Sequence, residues 1–127
     1  MASKVVLMTA LFDQMTTFVT ELSQMYPDDP DFSLFLTTLR MLKMTNPSML
    51  AKYIYENVRE YEGQILEKNE DFFLAHTFEQ YKEDVNMDIF SKLKQYVQSM
   101  SPQSKENVWQ YSQNIYRLAK ATYSGGS

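Results

Sequence analysis

Apolar side chains recur along this chain at intervals of three and four residues and nowhere in sustained alternation. Met8, Leu11, Phe12, Met15, Phe18, Val19, Leu22, Met25 and Tyr26 define one face of a long first helix. Phe32, Phe35, Leu36, Leu39 and Leu42 define a second. Leu50, Tyr53, Ile54, Val58, Tyr61 and Ile65 carry a third, in which Gly63 marks a weak point or kink, and Asn69 is placed to cap its end. Phe72, Phe73, Phe78 and Tyr81 predict a short helix or packed turn, and Ile89, Leu93, Tyr96, Val97 and Met100 a fifth helix beginning near Asn86. The punctuation agrees with this reading. Asp29-Pro30, Asn46-Pro47 and Ser101-Pro102 each set a capping side chain before a proline that loses no hydrogen bond in a first helical turn. Pro27 stops the first helix. No run alternates long enough for a strand, and no repeat has solenoid spacing. The expected fold is all-α, a compact bundle of five to six helices in a single domain over residues 1–123. Residues 124–127, Ser-Gly-Gly-Ser, read as a flexible tail or linker.

The last helix has the widest apolar face. With 100° per residue, apolar or small side chains from Leu118 through Val108 to Trp109 sweep an arc of about 180°. Gln110, Gln113, Asn114, Arg117 and Lys120 fall on the other half. Such an arc serves a helix wedged between two neighbours. It also serves a helix presenting Trp109, Tyr116 and Tyr123, seven residues apart, to a partner; tryptophan and tyrosine are frequent interface anchors. These three are the candidate interaction residues. Leu34, Met41 and Tyr55 lie off the main faces of their helices, so more than one face of each is expected to be covered.

Composition narrows the chemistry. The 127 residues include no cysteine and a single histidine, which excludes disulfides, zinc–thiolate sites, thiol nucleophiles and multi-histidine metal centres. Two of the three glycines are in the terminal run, leaving Gly63 alone in the body and no glycine-rich phosphate loop. Twelve basic and 16 acidic residues give a net charge of −4, the wrong sign for a nucleic-acid binder. Val5-Val6-Leu7-Met8 is broken by Thr9, so no membrane insertion is expected. No secretory leader is evident, and an intracellular location follows as the expectation.

Three constellations merit a chemical reading. His76 lacks the acid three residues earlier that a carboxylate-bridged di-iron bundle requires, since position 73 is Phe, and no serine is placed beside it. Glu56 with Glu60, and Glu79 with Glu83, are spaced to share helix faces, as the acid and base of a small hydrolase would be. Arg59 and Lys82 at neighbouring positions are those of a solvated charged face, which is the preferred reading because such hydrolases rarely have so small and purely helical a frame. Asp28, Asp29 and Asp31 make an acidic turn, but the glycine and terminal glutamate of a calcium loop do not follow. Carboxylates crowding a helix N-terminus explain it. No catalytic residue, metal or cofactor is expected.

The order of these landmarks resembles a known group. Tyr26-Pro27-Asp28-Asp29-Pro30-Asp31-Phe32, then Lys43-Met44-Thr45-Asn46-Pro47, then Ile65-Leu66-Glu67-Lys68-Asn69-Glu70-Asp71-Phe72-Phe73-Leu74, and finally Met100-Ser101-Pro102 through Asn107-Val108-Trp109-Gln110-Tyr111 are similar to small all-helical proteins encoded by giant (nucleocytoplasmic large) DNA viruses of algae and protists. The resemblance covers most of residues 10–120 and rests on helix caps and aromatic anchors. It implies a fold and a setting, an infected host cell or the virion, and no catalytic or ligand residues. With nine methionines, nine tyrosines and eight phenylalanines, the chain is expected to be a non-enzymatic protein–protein interaction module. It would bind a host or viral protein, or itself as a homodimer, through an aromatic and Met-rich helical surface. A self-assembling virion component is the alternative, and a small hydrolase the third reading.

Overall fold

The computed structural model describes residues 3–75 and 89–125, and every regular element among them is helical. In chain order these are α1 (Lys4–Met25), α2 (Asp31–Thr45), α3 (Ser48–Val58), a 3-10 turn (Arg59–Tyr61), α4 (Glu62–Leu66), α5 (Glu70–Ala75), α6 (Ile89–Val97) and α7 (Pro102–Gly125). The fold is all-α, in one compact domain, as the periodicity predicts. Its accessible surface of 7321 Å² is close to the roughly 7,000 Å² that mass scaling gives. The expected third helix divides, which takes the described residues to seven α-helices.

Helix α1 forms the spine. Its inward face, Leu11, Phe12, Met15, Phe18, Val19 and Leu22, is buried between α2 and α7. Each such side chain contributes roughly 1.5–3 kcal/mol of transfer free energy. Its outward face is also rich in apolar residues, so α1 is long and apolar enough to cross a membrane by length and composition alone. In this fold its inward face is core. From α2, Phe32, Phe35 and Leu39 close the core on one side; Leu50, Ala51 and Ile54 of α3 close it against α7.

Helix starts fall within one residue of the proline signals. At α7, Pro102 opens the helix and the Ser101 hydroxyl accepts the Ser104 N–H at 3.2 Å. Helices α2 and α3 begin one residue after their prolines. There Asp29 caps from further out, its Oδ1 accepting the Asp31 N–H at 3.0 Å. Asn46 caps no helix N–H; its side chain accepts the Ser48 hydroxyl at 3.3 Å.

The break in the third helix falls at Arg59–Tyr61 and not at Gly63. Gly63 has no positive φ, and a Cβ there would meet nothing within 4 Å. The turn follows Val58, whose φ of −117° leaves the helical range, and swings Tyr61 against Phe72 with ring centroids 5.3 Å apart. Helix α4 ends in a Schellman motif: the Asn69 N–H donates to Gln64 O at 2.9 Å and the Lys68 N–H to Ile65 O at 3.2 Å. Lys68 occupies the left-handed position at φ 57°, where glycine is usual. Asn69 also caps the next helix, its Oδ1 accepting the Phe72 N–H at 3.0 Å.

Polar residues of α7 secure this irregular segment. Gln113 was placed on the polar half by its wheel position, yet it is buried. Its Nε2 donates to Ile65 O at 3.3 Å and Leu66 O at 3.2 Å, satisfying carbonyls at the end of α4. Lys120 pairs with Glu62 at 2.7 Å, Lys105 with Glu70 at 3.3 Å, and Glu106 with Lys68. Helix α7 runs on to Gly125, into the run read as a tail.

Candidate functional site

The three aromatics expected to share one surface differ in burial: Tyr116 is buried, Trp109 half-buried and Tyr123 exposed. Tyr116 is core, 3% exposed. It does not protrude, because α7 is wedged between α1 and α3 and its wide arc is used up inside the fold. Burial pushes its hydroxyl well above the ordinary tyrosine range, and a hydrogen bond to the Glu62 carboxylate raises it further. Tyr123 is 40% exposed at the end of α7 and lies against Tyr55, with ring centroids 4.9 Å apart. Its hydroxyl donates to Glu56 Oε2 at 3.1 Å. Tyr55 in turn stacks on Tyr116 at 6.4 Å, so α3 supplies the ring that joins the two. Trp109 is half-buried and turned towards the interior.

The space Trp109 borders is a cavity of about 90 Å³ among α1, α3, α6 and α7. Its walls include Phe18 from α1, Leu50 and Ile54 from α3, Val97 from α6, and Val108 and Ile115 from α7. Tyr116 forms part of the wall, and Lys105 is the only charged residue among the described ones lining it. This concavity has no direct sequence signal: helical periodicity marks which side chains point inward, not whether they meet.

The acidic turn is neutralised from within the fold. Lys92 of α6 lies 3.1 Å from Asp29 Oδ2 and 2.6 Å from Asp31 Oδ2. Tyr96, one turn further along α6, donates its hydroxyl to Asp29 and stacks on Tyr26 with centroids 3.8 Å apart. The Tyr96 hydrogen bond, the Asp31 N–H and Lys92 together hold the Asp29 carboxyl below the usual carboxylate range. Asp31 and then Asp29 raise the Lys92 ammonium. Of the paired carboxylates, Glu56 and Glu60 are both exposed; Glu79, Glu83 and His76 lie outside the described residues. No cluster of metal-ligating side chains occurs among the described residues.

A row of exposed large apolar side chains lies on α2. Leu34 is 60%, Met41 61% and Met44 82% exposed. Thr37, Thr38 and Thr45 stand beside them, and each hydroxyl donates back to its own helix, to Ser33 O at 3.1 Å, Leu34 O at 3.0 Å and Met41 O at 2.7 Å. Their protons are therefore spent locally, and the face offers methyl and thioether groups. Arg40 and Lys43 lie exposed on the same helix. Leu34 and Met41 are the off-face residues expected to be covered; within the chain they are open. No protein-family model, curated protein or solved structure matches this chain.

Proposed function

We propose that this chain is a non-enzymatic protein-interaction module that docks a partner protein on the outer face of α2. One observation carries the reading: Leu34, Met41 and Met44 form a row of exposed large apolar side chains on a regular helix. Successive positions at 34, 37, 41 and 44 follow the three-and-four spacing that an amphipathic partner helix recognises. Methionine adapts its shape to a partner, and the inward-turned threonine hydroxyls leave little to desolvate. Arg40, exposed and next to Met44 on the helix circumference, fits a partner with an acidic rim. The site is thus aliphatic and on α2, where the sequence pointed to aromatics on α7. The setting that goes with the proposal is the one the viral resemblance implies, a protein acting inside an infected cell or within the virion.

Replacing Leu34 and Met41 together by Lys tests it. Both are open to solvent, so stability is expected to move by no more than about 0.5 kcal/mol per site. Partner recovery from extracts of the source cell, quantified by mass spectrometry against the wild-type chain, is expected to fall at least tenfold. Size-exclusion light scattering over a hundredfold concentration range identifies a second copy as the partner where the wild type dimerises and the variant does not. An unchanged recovery profile, with a monomer in both cases, rejects the α2 surface.

A further inference from the structure

We infer that the cavity beside Trp109 is a binding site for a compact, uncharged apolar ligand, between a xenon atom and a single small ring in size. The inference is independent of the α2 surface. At about 90 Å³ the space has room for several waters, yet its walls give water almost nothing to bond. Polar groups in the lining already have partners. Gln64 Oε1 accepts from Asn69 Nδ2 at 2.7 Å, and Asn69 Oδ1 accepts from the Phe72 N–H at 3.0 Å. The Ser112 hydroxyl donates to Val108 O at 2.8 Å, and Tyr116 is engaged with Glu62. A buried water needs about two to four polar partners, so transfer of an apolar molecule into this space displaces little that is well held.

Charge fixes the class further. Lys105, the one ion among the described lining residues, is already paired with Glu70 at 3.3 Å, and that carboxylate repels an anionic headgroup. The ligand is therefore neutral, and not a fatty-acid carboxylate. Size sets the other limit: an engineered apolar cavity of about 150 Å³ takes benzene as well as xenon. At about 90 Å³, xenon fits with room to spare, and benzene marks the upper bound.

The experiment uses the full chain under xenon pressure, followed by methyl-resolved NMR. Methyls of Leu50, Ile54, Val97, Val108 and Ile115 are expected to shift with a saturable pressure dependence. Leu22 and Leu39, buried away from the cavity, are expected to stay still, and the emission of the lone tryptophan, Trp109, is expected to be quenched with the same saturation. Ser112→Leu fills the space without orphaning Val108 O, which still takes its helical hydrogen bond. Its melting temperature is expected to equal or exceed the wild-type value, and its xenon response to disappear. Val108→Ile, one methylene larger, serves if Ser112→Leu does not fold, and is expected to reduce the response at least twofold. Absence of saturable shifts in the wild type, shifts spread equally to Leu22 and Leu39, or a filled variant that responds at full amplitude would each overturn the assignment.

Discussion

Replacing Asp29 by Ala removes the group that ties the start of α2 to α6. Three groups lose Asp29 as a partner; the half-buried Tyr96 hydroxyl can turn to water, so the other two losses set the magnitude. The Asp31 N–H at the helix start loses its acceptor, which costs about 1 kcal/mol. Lys92 loses one of its two carboxylates in a pair whose side chains are only 17% and 10% exposed. That is more than an open surface pair contributes and less than the 3–5 kcal/mol (approximately) of a fully buried one, so about 1–2 kcal/mol. The sum is about 2–3 kcal/mol, a fall in Tm of roughly 6–12 °C for a chain of this size. The pH dependence has a definite sign. A carboxyl held below its unfolded pKa of about 3.9 stabilises the fold fully above that value. Its contribution is lost as pH falls through the lower folded value. The gap between wild type and Asp29→Ala is therefore expected to be constant from about pH 5 to 8 and to close below about pH 4. Urea unfolding at pH 7 and pH 3, with a double-mutant cycle against Lys92→Met, measures both; the expected coupling is about 1 kcal/mol. Equal urea midpoints at pH 7, or zero coupling, would refute the placement of α6 against this turn.

Lys68→Gly relieves a left-handed residue of about 1–2 kcal/mol of strain, gives back part of it as chain entropy, and loses an exposed ion pair with Glu106. The net expectation is a gain of about 0.5 kcal/mol, read from urea midpoints in 0.5 M salt (approximately), where the ion pair is screened. Tyr116 is held protonated in the fold while an unfolded tyrosine ionises near pH 10, so its contribution is complete below about pH 10 and is lost as pH rises beyond it. Tyr116→Phe is expected to flatten the loss of stability between about pH 10 and 12 in alkaline melts, and an unchanged slope would show that the ring is not sequestered.

Helix positions were legible because the signals for them are local. Three- and four-residue apolar spacing gave the inward faces of α1, α2 and α3 nearly residue by residue, and Ser101-Pro102 marked the first residue of α7. The division of the third helix was not legible, since Gly63, the residue a local rule selects, sits in unstrained backbone. What turns the chain there is the packing of Tyr61 on Phe72 and the support of α7, both of which depend on tertiary contact. Asn69 shows the same limit. A capping residue was recognised, but its side chain caps the start of α5, because the Schellman motif before it uses only its backbone N–H. Lys92 is the clearest long-range case: no pattern in residues 28–31 indicates that a lysine some sixty positions later neutralises them.

The fate of the α7 aromatics explains why a surface is better sought on α2. A wide apolar arc is ambiguous by itself, but an interior helix must satisfy every polar group it buries, and α7 does so with Gln113 and Thr122. Gln113 reaches the open end of α4, and Thr122 returns its hydroxyl to Leu118 O at 2.8 Å. A surface helix has no such obligation. Helix α2 buries Phe32, Phe35 and Leu39 on one side, and none of the described elements covers Leu34, Met41 and Met44 on the other. From 34 to 44 the row spans about 15 Å at the helical rise, enough for two to three turns of a partner helix. Leaving it uncovered gains the monomer nothing in burial, and Arg40 beside Met44 sets a basic edge on a chain of net charge −4. A partner drawn to that edge carries acidic side chains beside its apolar stripe. Its association rate then falls with added salt, while its dissociation rate, governed by the buried methionine and leucine contacts, changes little.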